Sequence, residues 1–411
     1  MPGHHAALVL CGAVLAAGVA ASGAGAGPEG HAKITGTSLT IYSSLPEHGP
    51  ARWQTRAIEN GIRMALAERD RKVGGYTVRY KPLDDSRHSI ADVGAGARNA
   101  RRAASNKRTI GYIGEYNSGI SMVTIPILNK KGIAQISPTN TYVGLTTAAP
   151  GHAPGEPDKY YPTGRRTYAR LMPNDTVQSR ALALATQQDG CASVHVLRSG
   201  TLYSNGLSRS IADSAAQIGL PIAATTRYNP RARRYGKVAS KVAAPCVIQT
   251  GEIEASGARV LKAVAAAHGE ARLYGADGVC LNVSANASYG IPPSVAPRYR
   301  CTIASLDPEA YGPEGREFFA NYSARYHQRN PDPYAVYGYE AMSLMLDSVQ
   351  RAIDADGDLT RRKVVDALFA TRDRRGAVGT YSIDANGDTT LTDYGLYRID
   401  GKRLTFDRVI R

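Results

Sequence analysis

The strongest constraint in this 411-residue chain is an alternation of short apolar runs and helix-period segments that runs twice, with an irregular stretch between. Residues 38–42 read as a strand. Residues 56–69 then carry Ala57, Ile58, Ile62, Ala65 and Leu66 at helical spacing. A Gly74-Gly75 turn leads to a strand over 76–82, and the rhythm continues with a helix over 90–104, a strand over 109–113, a helix over 121–130 and a strand over 133–136. The order βαβαβαβ predicts a parallel sheet with helices on both faces. Residues 147–166 break the pattern with Pro150, Pro154, Pro157 and Pro162 and interspersed glycines, the signature of an irregular excursion.

The rhythm restarts with a helix over 178–187 and a strand over 193–197, then a helix over 207–218 and a strand over 222–228. A strand over 247–250, a helix over 255–268 and a strand over 273–275 follow. Two successive units of this build predict two Rossmann-like α/β lobes facing each other, and 411 residues are enough for two domains. The last third holds helices over 313–329, 338–353 and 363–370, then hairpin-like segments over 379–383 and 394–399. Between them, Asp384-Ala385-Asn386-Gly387-Asp388 begins like a calcium loop. It lacks the glycine at position 6, and Gly395 stands where a bidentate Glu is needed, so it reads as a turn.

The N-terminus has a different character. Residues 6–21 are an unbroken run of small and apolar residues, followed by Ser22-Gly23-Ala24-Gly25-Ala26-Gly27. That length and those small residues suit a secretory signal over 1–28 better than a membrane span, although His4 and His5 stand where Lys or Arg is usual. Cys11 falls early in the apolar run with Leu10 before it, which argues against a lipid anchor. Removal of this segment leaves Cys191, Cys246, Cys280 and Cys301, an even count that in an exported chain points to two disulfides. Sequence order permits three pairings. The favoured one is Cys191–Cys246 with Cys280–Cys301: the first two each precede a strand of the second unit, and the others flank one excursion from the 273–275 strand.

The net charge of +15 stays with the mature chain, because residues 1–28 carry no Lys, Arg, Asp or Glu. Arg and Lys are dispersed without a basic block, so the charge reads as a surface property and no nucleic-acid partner is expected. Catalytic signatures are missing too: there is no G-x-S-x-G, H-E-x-x-H or P-loop, and the letters Gly25 to Gly30 match a dinucleotide fingerprint only ahead of any strand. A binding protein is expected rather than an enzyme, with no metal or organic cofactor.

A series of local matches in order then carries a resemblance. They are Asn60-Gly61, Leu83-Asp84-Asp85, Tyr112-Ile113-Gly114, Gly132-Ile133 through Ile136-Ser137-Pro138, Leu145-Thr146, Gly275-Ala276-Asp277-Gly278 and Gly387-Asp388. Over about residues 36–411 the chain resembles the branched-chain amino-acid (Leu/Ile/Val) binding proteins of ABC transport systems, with the type I periplasmic-binding fold. The resemblance implies three crossings between lobes, with lobe 1 from about 36–169 plus 304–378 and lobe 2 from about 170–303 plus 379–411. It also implies an extracytoplasmic protein, an ABC permease as membrane partner, and an amino acid or similar small polar ligand held by hinged closure. A sensor that hands its closed state to a receptor is the alternative use of the same fold.

The same resemblance, read with the local chemistry, nominates site residues. Ser118 stands at a helix start, where a hydroxyl and free N–H groups receive a carboxylate. Ser137, Thr139 and Thr141 follow the next strand, and the resemblance gives the Thr139 backbone and Thr141 the ligand's ammonium and carboxylate. Asp277 sits on a tight loop between Gly275 and Gly278 where the family has Glu, and would meet the ammonium. Tyr203 occupies the place of a cleft tyrosine in a loop, and Trp53, the single tryptophan, the place of an aromatic gate. Glu252 departs from the pattern. It stands where an aromatic is usual and would make the pocket more acidic than a branched-chain ligand requires.

Overall fold

A computed structural model of the protein describes residues 1, 3, 32–87, 90–286, 290–328, 331–355 and 357–411. The expected signal segment lies almost wholly outside these residues. Two sheets organise the chain. The first has the order Lys72–Val73, Tyr76–Asp84, Ser38–Leu45, Thr109–Ile113, Ala134–Ser137, Tyr168–Arg170, parallel throughout except for the two-residue edge strand Lys72–Val73. The second has the order Ile222–Arg227, Val194–Arg198, Cys246–Gln249, Arg272–Gly275, Tyr299–Ile303, Tyr394–Asp400, Arg403–Ile410. Its first five strands are parallel and its last two antiparallel. The central strands are buried over nearly their whole length and carry continuous apolar runs, as expected of parallel strands covered on both faces.

The two α/β lobes expected from the alternation are therefore present. Two short strands, Tyr168–Arg170 and Tyr299–Ile303, complete the sheets and carry no periodic signal of their own. The terminal hairpin differs from expectation. Tyr394–Asp400 pairs with Arg403–Ile410, while Gly379–Tyr381 pairs back with Arg374–Gly376. Asp400-Gly401-Lys402 supplies the tight turn, with Gly401 at φ +61°.

The chain passes from the first sheet to the second after Arg170, leaves the second after Ile303 for a helical segment, and rejoins it at Tyr394. Within that segment, helix Ala335–Asp354 returns to the first lobe and packs along Arg52–Glu68. The two helices meet through glycine. A Cβ on Gly61 would lie 2.2 Å from the Ala335 carbonyl oxygen, and one on Gly338 would lie 2.1 Å from that of Ile58.

The crossings are pinned by Arg170, whose side chain is wholly buried. Its Nε donates to Asp388 Oδ1 at 2.7 Å, one Nη to the Tyr142 carbonyl at 2.9 Å and the other to the Thr146 hydroxyl. Asp388 also accepts from Asn174 Nδ2 at 2.8 Å. The Asp384–Asp388 string is thus a turn whose job is positional: Asp384 Oδ1 accepts the backbone N–H groups of Asn386 and Asp388, each at 2.8 Å. Gly387, at φ +97°, has no room for a Cβ against the Tyr168 carbonyl.

Both disulfides lie in the second lobe. Cys191–Cys246 joins neighbouring strands at a Cα–Cα distance of 6.1 Å, and Cys280–Cys301 ties the loop after Arg272–Gly275 to the next strand at 5.4 Å. They close loops of 55 and 21 residues, and chain-entropy reasoning assigns them about 4 and 3 kcal/mol of stabilisation. Among the described residues, no helix is long and apolar enough to cross a membrane.

Candidate functional site

Every cavity residue described below sits in a loop or helix start beyond the C-terminal end of a strand or at the head of a returning helix. In a twisted parallel sheet that edge leaves a crevice with exposed backbone groups, the usual place for a ligand. Between the lobes lies a cavity of about 40 Å³ that opens to solvent.

The first lobe contributes two loops. Helix Ser118–Asn129 starts directly after strand Thr109–Ile113 and its connecting loop, with Asn117 as the residue before the first turn. The Asn117 carbonyl accepts the Ile120 and Ser121 N–H groups, which leaves those of Ser118 and Gly119 as the first-turn donors at the positive end of the helix. Ser118 and Asn117 both line the cavity. The second loop follows strand Ala134–Ser137 and adds Thr139 and Thr141. Hydroxyls knit the loops together. Ser137 Oγ donates to the Glu115 carbonyl at 2.8 Å and accepts the Asn140 N–H at 2.9 Å, and Thr139 Oγ1 donates to the Tyr116 carbonyl at 2.9 Å. Ser137 is thereby wholly buried beneath the cavity wall instead of lining it.

The second lobe faces this polar wall with carboxylates. Asp277 opens a single 3-10 turn after strand Arg272–Gly275. Its Oδ1 accepts the Tyr203 hydroxyl and, at 2.9 Å, the Gly278 N–H. Its Oδ2 accepts the Tyr334 hydroxyl at 3.2 Å. Tyr334 heads the first-lobe helix Ala335–Asp354, so this bond spans the two lobes. Burial raises the Asp277 carboxyl above the ordinary range, against the lowering effect of the bonds from Tyr203 and Tyr334. Tyr203 lies in the first turn of helix Leu202–Gln217, not in a loop, because Thr201 caps the helix one residue earlier by accepting the Ser204 N–H.

Glu252 lies across from the Ser118 turn and also lines the cavity. Thr201 Oγ1 donates to its Oε1 at 2.8 Å and Ser199 Oγ to its Oε2 at 3.2 Å. Burial lifts it to about 7 despite those bonds. Other acids surround the cleft. Asp175, at the first turn of helix Asp175–Gln188, is 0% exposed, and neither of its carboxylate oxygens has a hydrogen-bond partner. Its carboxyl is held well above the usual range by burial and then by the charge of Asp277. The Tyr116 hydroxyl, which donates to Gln54 Oε1 at 2.6 Å, is raised by burial and then by Glu254, Asp332, Asp277 and Glu252. Four carboxylates therefore converge on one cavity tyrosine.

Of the residues nominated from the sequence, Ser118, Thr139, Thr141, Tyr203, Glu252 and Asp277 come together around the cavity. Trp53 does not join them. It is 51% exposed on the first turn of helix Arg52–Glu68, with the Arg52 guanidinium over its ring at 4.4 Å. Tyr116, Asn117, Gly278 and Tyr334 line the cavity without having been nominated. Tyr334 had a readable cue, the Pro331-Asp332-Pro333 stop ahead of a helix. Tyr116 had none, one tyrosine among 24. Among the described residues, no group of three or more His, Cys, Asp or Glu is placed to hold a metal ion.

Comparisons with known proteins agree with this architecture. A leucine binding protein, LivK, from Thermotoga maritima MSB8 superposes with a TM-score of 0.76 at 22% identity, covering 91% of this chain and 99% of its own. The branched-chain amino acid transporter substrate binding protein LivJ from Streptococcus pneumoniae, in complex with isoleucine, gives 0.73 at 15% identity, with coverage of 91% and 99%. A solute binding protein of an ABC transporter from R. palustris, in complex with benzoate, gives 0.72 at 18% identity, with coverage of 90% and 96%. At these identities the likeness is one of fold. No curated protein matches the chain. The family model described as "Periplasmic binding protein" matches residues 40–403, nearly the whole length of both lobes, and the chain belongs to that family.

Proposed function

We propose that this protein is the extracytoplasmic binding component of an ABC importer and holds a small α-amino acid between its lobes. The observation that carries the reading is the opposition of the two cavity walls. A helix N-terminus with Ser118 and the Thr139–Thr141 loop faces two carboxylates, Asp277 and Glu252, across one enclosed space. The first wall suits a carboxylate, through helix N–H groups and hydroxyls. The second suits an ammonium, which gives Asp277 the compensating charge that its burial calls for. Relatives of the same fold crystallised with isoleucine and with leucine support an amino-acid ligand. The benzoate complex supports an anchored carboxylate.

In this reading the ligand docks on the first lobe. Closure then brings Asp277, Tyr203 and Glu252 from the second, and the Tyr334–Asp277 bond marks the closed arrangement. A membrane permease recognises that closed shape. In this reading lobe 1 is 36–169 with 304–378 and lobe 2 is 170–303 with 379–411; the packing of helix Ala335–Asp354 along Arg52–Glu68 supports the return of the chain to lobe 1.

A thermal-shift panel of α-amino acids, each beside its 2-hydroxy-acid analogue, tests the reading. A ligand that binds only the folded state raises Tm by mass action. The expected result is a shift with an amino acid that vanishes for the hydroxy analogue. Equal shifts for both, or shifts with benzoate alone, would remove the ammonium contact and the amino-acid reading with it.

A further inference from the structure

The cavity wall is poorly suited to an aliphatic side chain. Among the described residues, its lining consists of hydroxyls, glycine, asparagine, tyrosine rings and the two carboxylates, with no Leu, Ile, Val or Met. Burying a leucine side chain is favourable by about 1.5–3 kcal/mol only where it leaves water for apolar surface, and here three tyrosine rings are all that is offered.

The charge is unbalanced in the same space. Among the described residues, Lys, Arg and His are absent from the lining, while Asp277 and Glu252 both belong to it. One α-ammonium can serve one of them. If it pairs with Asp277, Glu252 remains a carboxylate held by two neutral hydroxyls, those of Thr201 and Ser199.

The unpartnered atoms around the cleft supply an independent sign. In the lining itself the buried atom without a hydrogen-bond partner is an acceptor, Asn117 Oδ1, and Glu254 Oε1, on a residue outside the lining whose charge acts on Tyr116, is another. Buried acceptors without donors are costly, at about 1–3 kcal/mol each, and more for charged groups. A guest rich in N–H groups would relieve that cost, whereas a hydrocarbon side chain would add to it.

From the lining, the charge imbalance and the orphaned acceptors, we infer that the cavity takes an α-amino acid whose side chain ends in a second cationic group, with Asp277 receiving the α-ammonium and Glu252 the distal cation. The inference rests on the amino-acid reading above and narrows it to dibasic amino acids. Tyr116, Tyr203 and Tyr334 then act as aromatic flanks for the cationic chain, a role their quadrupoles suit.

Titration calorimetry of the purified protein with L-lysine, L-ornithine, L-arginine, L-norleucine, L-glutamine and cadaverine decides the matter. Norleucine keeps the lysine carbon chain and the α-amino acid group but lacks the distal charge. At least one dibasic amino acid is expected to bind ten- to hundredfold more tightly than norleucine. In Glu252→Gln that ratio should collapse toward one. Tighter binding of norleucine or glutamine than of every dibasic amino acid would overturn the second-cation inference and leave the amino-acid reading intact. Cadaverine binding as tightly as lysine would overturn both, because it lacks the carboxylate. The wild-type comparison stands by itself if the variant fails to fold.

Discussion

The two walls of the cleft are built on opposite principles. The first-lobe wall is made of neutral donors: a helix start, Ser118 and a loop stitched together by Ser137 and Thr139. The hydroxyls of Ser137 and Thr139 tie its two loops to each other, so the wall is braced within its own lobe. The second-lobe wall is made of charge. Asp277 and Glu252 are propped by tyrosine and threonine hydroxyls but find no cation. Burial raises both carboxyls, and a cationic ligand group would favour their charged forms. The contrast separates docking, a matter of shape and hydrogen bonds, from closure, a matter of charge. A ligand shifts the open–closed balance only by what it gains more in one state than in the other, and the larger differential lies on the carboxylate side.

That asymmetry can be broken most visibly at Asp277. Asp277→Ala removes the partner of a desolvated charge, a loss of about 2–5 kcal/mol in comparable sites, so calorimetry should show amino-acid affinity falling by about a hundredfold or more. Ser118→Ala removes one hydroxyl while the helix N–H groups stay, and a single hydrogen bond is worth about 1 kcal/mol. Its affinity loss should be roughly fivefold. Equal losses from the two substitutions would refute the division of labour between the walls.

A third test uses pH. Burial raises Glu252 and Glu254 to about 7 and Asp332 to about 6 in the folded chain, above their unfolded values. Between pH 4.5 and 7 the folded state then binds more protons than the unfolded state, so stability must fall as pH rises through that window. Thermal melts of the ligand-free protein should accordingly give a lower Tm at pH 8 than at pH 5.5, with a shallower slope in Glu252→Gln. The smallest effect is expected outside the cleft. Trp53→Ala should change neither affinity nor stability by more than about 0.5 kcal/mol, the usual range for an exposed side chain.

Much of the fold was legible because parallel strands buried on both faces leave long apolar runs between helix-period segments. The strand Thr109–Ile113 and the helix Ser118–Asn129 are a clear instance. What escaped were short elements defined by their neighbours. Tyr168–Arg170 is three residues long and becomes a strand only by pairing with Ala134–Ser137, and Gly379–Tyr381 chose a partner on its N-terminal side. The site divided the same way. Ser118, Thr139, Thr141 and Asp277 follow strands, where position alone suggests a cleft. Tyr116 reaches the cavity by side-chain direction and has no local pattern, whereas Tyr334 follows the Pro331-Asp332-Pro333 stop ahead of its helix. Trp53 misled for a related reason. Helical spacing set the start of its helix at residue 56, and the extra turn back to Arg52 carries the indole to an exposed face.

The buried guanidinium of Arg170 bears on how such a molecule can move at all. Three strands of chain that pass between two bodies could in principle let them slide, tilt and twist independently. Here one side chain grips Asp388 on the third crossing while its own backbone N–H holds the Gly387 carbonyl, and it reaches the Tyr142 carbonyl and Thr146 of the first lobe. The first and third crossings are thereby fastened to the same point. Fastened together, they resemble two pins on one edge of a door: in the proposed closure, a swing about a common axis would be favoured over lateral sliding, and an arginine outside the cavity would set where Asp277 and Glu252 arrive.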